Sequence, residues 1–171
     1  MKAFIALLRA VNVGGTGKLP MTELKAMCEA VGFQSVRTYI ASGNVVFQSS
    51  KAEPQVKAVL EKALAFYAGK PVAVLVRTAA EMAAVVANNP FPELPGNLTH
   101  ACFLDSAPPE DVLKKISGRN REELRLGTRE IYIYYPEGAG QSKLKIPAAK
   151  TGTARNMNTV AKLAEMAASL R

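Results

Sequence analysis

Arg9 stands inside an apolar run, Leu7-Leu8-Arg9-Ala10-Val11, which opens into Asn12-Val13-Gly14-Gly15-Thr16-Gly17-Lys18. A charge in such a run is rarely buried without a partner. At the end of a strand, a guanidinium can instead grip a carboxylate or phosphate through parallel hydrogen bonds. The glycines at the exit can turn backbone N–H groups toward the same anion, and Lys18 adds charge. Arg37 and Tyr39 share one face of the next strand, so Arg9 and Arg37 are expected to converge if the two strands are neighbours. A third basic stretch is Lys150-Thr151-Gly152-Thr153-Ala154-Arg155-Asn156-Met157-Asn158-Thr159. No acid occurs between Glu137 and Glu165. Arg155 is expected in the first turn of a helix capped by Thr153, where a cation opposes the helix dipole unless an anion is bound.

Several chemistries lack their residues. The glycine loop is no P-loop, because Asn12 stands where the first glycine belongs and Leu19 where a magnesium-binding hydroxyl belongs. Pro20 breaks a dinucleotide fingerprint. One histidine, His100, and two separated cysteines, Cys28 and Cys102, give no zinc spacing, and no G-x-S-x-G elbow is present. No cofactor is indicated. Of side chains that could do acid, base or nucleophilic work, Tyr39, Ser42 and Lys18 are the nearest candidates. Glu122-Glu123 and Glu110-Asp111 read as surface pairs. Tyr132 and Tyr134 share a strand face and either stack bases or fill a core.

The elements that must position these groups follow from periodicity. Residues 3–11 read as a buried strand. Pro20 opens a helix with Leu24, Met27, Cys28 and Val31 on one face, and Gly32 ends it with Phe33 folding back. Residues 36–41 and 45–47 form a hairpin about Ser42-Gly43-Asn44. Pro54 opens a second helix ending at Gly69, and residues 72–76 are a strand. The order β-α-β-β-α-β is the ferredoxin-like split βαβ arrangement. Thr78 and Glu81 make a capping box for a third helix. After a proline-rich link the plan resumes. Residues 99–104 form a strand, Pro108-Pro109 open a helix carrying Val112, Leu113 and Ile116, and residues 123–126 and 129–135 form a hairpin. A long last helix follows. The expected fold is α+β, with two ferredoxin-like subdomains (α-β plaits) over residues 1–90 and 91–171, the second lacking its last strand.

The chain has 171 residues and a formal charge of +8. That length can bury a core without staples. The charge favours an acidic partner. No stretch is long and apolar enough to span a bilayer, and Arg9 interrupts the leader-like N-terminal run, so a cytoplasmic protein with no membrane association is expected.

Three stretches together resemble signatures of the bacterial DUF1697 family, whose name means domain of unknown function. They are Leu7 through Gly15, Arg37-Thr38-Tyr39-Ile40-Ala41-Ser42-Gly43-Asn44-Val45-Val46-Phe47, and Thr153 through Val160. Two residues depart from the pattern: Ala10, where the family usually has glycine, and Met157, where it often has tryptophan. The resemblance implies two ferredoxin-like subdomains and no established activity. It also suggests that the three stretches form one place. The expectation is that Arg9, Asn12, Gly14, Gly15, Lys18, Arg37, Ser42, Asn44, Arg155 and Asn156 line a basic cleft between the halves. Its ligand would be anionic, either nucleic acid or a phosphorylated small molecule. An enzyme holding a small anionic substrate by its arginines is the alternative, and an interaction module is the third reading.

Overall fold

A computed structural model describes residues 1–10 and 18–170. The chain divides into two units, Met1–Ala83 with Leu163–Arg171, and Ala84–Lys162. The first unit therefore takes its last segment from the end of the chain, which an expected boundary at residues 90 and 91 does not include.

The first unit holds β1 (Lys2–Leu8), α1 (Met21–Ala30), β2 (Gln34–Thr38), β3 (Asn44–Ser49), α2 (Glu53–Ala68) and β4 (Val74–Thr78). The strands form one antiparallel sheet in the order β2-β3-β1-β4. Alternate residues of a strand face opposite sides of its sheet. Phe4, Ala6 and Leu8 of β1 therefore join Val45, Phe47, Val74 and Val76 in a core with Leu24 and Cys28 of α1 and Val56, Leu60 and Leu64 of α2. Ile5, Leu7, Val46 and Leu75, on the other face, are buried too.

Local chemistry explains the element ends. After α1, Gly32 adopts φ +95°. The Gly32 N–H then donates to Glu29 O and the Phe33 N–H to Cys28 O. This is the two-bond glycine stop that satisfies the last carbonyls. Phe33 stacks on Phe47 with ring centroids 4.1 Å apart. The pairing of β2 with β3 shifts register between Gln34 and Arg37. There Ser35 takes φ +53° and its hydroxyl donates to Gln48 Oε1.

The helix α3 (Ala79–Ala87) begins at the expected capping box. The Thr78 N–H donates to Glu81 Oε1 at 2.9 Å, and the Glu81 N–H to Thr78 Oγ1 at 3.1 Å.

The second unit holds β5 (Thr99–Phe103), β6 (Glu123–Leu126), β7 (Glu130–Tyr134) and β8 (Thr153–Asn156), antiparallel in the order β6-β7-β5-β8. Adding four to each strand number of the first sheet yields the second. Two expectations are corrected here. The second sheet does not lack its last strand: Thr153–Asn156 pairs with β5 and satisfies an edge that would otherwise lie open. The last helix, α4 (Met157–Ala168), accordingly starts later. The expected helix after Pro108-Pro109 is only a 3₁₀ turn, Val112–Lys114. Gly118 at φ +71° and the Ser117–Lys145 bridge pull the chain away after it. Cys102, Leu104, Val112, Leu124, Ile131 and Ile133 form this unit's own core.

Among the described residues, no helix is long and apolar enough to cross a membrane. Thr78→Ala removes one arm of the capping box and is expected to cost about 1 kcal/mol, read as a lower urea midpoint at unchanged slope.

Candidate functional site

Arg9 leaves β1 between two neighbours. The Leu8 N–H donates to Gly43 O at 2.8 Å, and the Arg9 N–H to Ala73 O at 3.0 Å. Beside this end lies the turn from Tyr39 to Asn44. Asn44 is fully buried, and its amide Nδ2 donates to Tyr39 O and to Ser42 Oγ, each at 2.9 Å. The Tyr39 N–H donates to Asn44 O at 3.0 Å. Thus Asn44, expected to contact ligand, is the staple of the turn. Ile40, in the middle of it, has φ +51° and is 49% exposed. A β-branched residue in the left-handed region is strained, and such strain clusters at functional sites.

Arg9, Lys18 and Arg37 are exposed and Ser42 half-buried. Asn12, Gly14 and Gly15 lie outside the described residues. The register sets Arg37 level with Val46 and Ile5, four residues short of Arg9 along the sheet. That is about 13 Å at the usual strand rise, so the turn brings Ser42 near Arg9 but the two arginines start well apart.

The structure corrects the placement of Arg155. It lies in β8, buried, rather than in the first turn of a helix. Its Nη1 donates to Thr153 Oγ1 at 2.7 Å and Ala154 O at 2.9 Å. Burial pushes the guanidinium down to about 10, so it stays charged at neutral pH. Asn156 is the true cap of α4, its Oδ1 accepting from the Thr159 N–H at 2.9 Å.

The registers reveal a row that sequence reasoning missed. Arg37, Val46, Ile5 and Arg77 lie side by side across the first sheet. Arg125, Tyr132, Ala101 and Arg155 do so across the second. Each row ends in a buried arginine whose Nη1 donates to the carbonyl of the residue before it. Arg77 is 1% exposed. Its signal was available, since it interrupts the apolar Val74-Leu75-Val76 much as Arg9 interrupts its own run.

Other expected groups are structural. Tyr132 is buried and its hydroxyl donates to Val85 O at 2.8 Å, which removes it as a base-stacking platform. Tyr134 packs on Phe91, which also carries Arg125 over its ring. His100 meets the Tyr135 ring edge-on, and burial lowers its pKa. Burial, aided by Glu29, pushes the Cys28 thiol up to about 12, far from a nucleophile.

Glu122, expected on the surface, is buried at a second site. It lines a polar cavity of about 310 Å³ with Asn120, Arg121, Tyr135, Glu137 and Lys143. Its carboxylate accepts from the Asn120 N–H and the Ser142 hydroxyl, each at 2.7 Å. Those bonds, the Asn120 one foremost, hold it below the ordinary glutamate value. Among the described residues, no group of three or more His, Cys, Asp or Glu side chains is placed to hold a metal.

The profile of a protein family described as being of unknown function, DUF1697, matches residues 1–132. The chain belongs to the DUF1697 family. A search of curated proteins finds no match. Among solved structures, the chain is similar to a conserved bacterial protein of Streptococcus pneumoniae, SP0830, at 23% identity and a TM-score of 0.79, covering 97% of this chain and 98% of that one. At that identity the likeness speaks for the fold alone. In this DUF1697 chain the departure at Ala10 falls on φ +55°, a conformation glycine adopts without strain. Met157, the other departure, is buried and has no stacking face to offer.

Ile40→Gly is expected to raise stability by roughly 0.5–1 kcal/mol, because relief of left-handed strain outweighs the added freedom of the unfolded chain. Asn44→Ala is expected to lower it by about 1–3 kcal/mol; urea unfolding reads both. The depressed pKa of Glu122 makes its contribution fully present above the unfolded value of about 4.3 and progressively lost as pH falls through the lower folded value. Glu122→Gln should therefore lower stability at neutral and alkaline pH, flatten the acid limb, and converge with the parent protein at low pH.

Proposed function

We propose that the chain is a cytoplasmic binding protein for an anionic ligand, taken at the end of β1. The observation that carries this reading is the strained turn at Ile40, locked by buried Asn44 against the point where exposed Arg9 leaves the sheet. Strain of this kind persists only when the surroundings impose it, and here they set the turn that carries Ser42 against the backbone at the end of β1, where Arg9 follows. A formal charge of +8 supports an acidic partner. Arg155 and Asn156 leave this proposal, the first because it is buried and the second because it caps a helix.

Both sheets are read as ferredoxin-like plaits. The shared order, with β1 next to β3 and β2 and β4 at the edges, supports this in the first unit, and its repetition supports it in the second. A second reading, an interaction module, is favoured by one observation. Phe66 is 92% exposed on a groove between α1 and α2 that also includes Met27, Val59 and Tyr67.

Fluorescence anisotropy with labelled RNA and DNA over a salt series tests the first reading. Micromolar binding is expected, with Arg9→Ala weakening it uniformly across sequences and reducing the salt slope by about one. Absence of binding at low salt removes nucleic acid and leaves phosphorylated small molecules. If those also fail while Phe66→Ser alters association of the protein, the interaction reading takes over.

A further inference from the structure

Two loops of the second unit, residues 117–122 and 135–145, are held face to face. The Ser117 N–H donates to Lys145 O, and the Lys145 N–H to Ser117 O. At Gly118 the approach is so close that a Cβ would stand 2.0 Å from Lys143 O. Glu122 stitches the same loops from inside through Asn120 and Ser142. The cavity they enclose is thus held open by backbone bonds.

Its charges are arranged by depth. Glu122 lies inside and is 7% exposed. A carboxylate has about four acceptor positions, and the donors from Asn120, Ser142 and the Glu122 main chain leave capacity for an ammonium. Arg119 donates to the Glu122 main-chain carbonyl and adds only a lesser attraction to the carboxylate. At the rim, Arg121 and Glu137 pair at 3.0 Å and compensate each other. Lys143 is exposed and forms no ion pair with the described residues. An acid inside and an uncompensated cation outside suit a ligand of opposite polarity at its two ends. A phosphate would be repelled by Glu122, which separates this site from the anion site above. The volume, about 310 Å³, lies at the small end of ligand cavities.

The geometry points to a binding site for a small amino-carboxylate zwitterion, its ammonium on Glu122 and its carboxylate toward Lys143. The inference does not rest on the anion site.

Amide chemical shifts of the full chain, titrated with individual free L-amino acids and with ethylamine and acetate as one-ended probes, test it. At least one amino acid is expected to bind, shifting residues 118–122 and 135–143, more tightly than ethylamine and much more tightly than acetate. Lys143→Ala, an exposed change that keeps the loops, should weaken the amino acid about tenfold and leave ethylamine unchanged. Glu122→Gln should weaken both. The proposal fails if no amino acid shifts these amides at tens of millimolar. It also fails if acetate binds as well as the amino acid, or if Lys143→Ala leaves amino-acid affinity unchanged.

Discussion

The first sheet depends on holding β1 in one register. A strand buried on a single face is self-correcting, since a slip by one residue turns its apolar side to water. That safeguard is weak here. Phe4, Ala6 and Leu8 are buried on one side and Ile5 and Leu7 on the other. Groups with direction must choose the register instead. Asn44 is the chief of them, because its buried amide fixes the turn that presents Gly43 O to the Leu8 N–H and sets Leu7 opposite Asn44. A slip of β1 by one position would part the Leu8 N–H from Gly43 O, and an unmade buried hydrogen bond costs more than an exchanged aliphatic contact.

What could be read from the chain was what neighbours in sequence decide. The capping box at Thr78 and Glu81 and the glycine stop at Gly32 each involve residues a few positions apart. The family resemblance was legible for the same reason, as short contiguous motifs. What could not be read was decided at a distance. Thr153–Asn156 has composition suited to a helix start, and only the open edge of β5 makes it a strand. Glu122 sits beside another acid and resembles solvated surface until residues from the 136–143 loop close over it. The helical pattern of Val112, Leu113 and Ile116 was real, yet the left-handed Gly118 and the Ser117–Lys145 bridge after it left room for one turn.

The two sheets share an order and a row of arginines while their coverings differ. In the first unit the face bearing Phe4 and Phe47 is closed by two full helices. In the second, the face bearing Cys102 and Ile131 is closed by a short 3₁₀ turn and by irregular chain carrying Ile116, Leu144 and Ile146. A helix satisfies its own backbone, whereas irregular chain must find partners case by case. The polar stitching of the second unit's loops, through Glu122, Ser142 and the Ser117–Lys145 bridge, is what that requirement looks like in side chains. The cavity is a by-product of covering a sheet without helices.

The kink in β2 has a consequence for the chain in company. β2 is an edge of its sheet, and an edge presents unpaired backbone groups to any passing strand. A straight edge beside strands as apolar as β1 and β3 would invite sheet-to-sheet growth. Ser35 prevents the edge from being straight. Its left-handed backbone shifts the register, and exposed Gln34 and Arg37 flank the bend. A second copy of the chain therefore meets a short, bent and charged template. The residue that looks like a flaw in the ladder makes this edge a poorer template for a neighbouring strand.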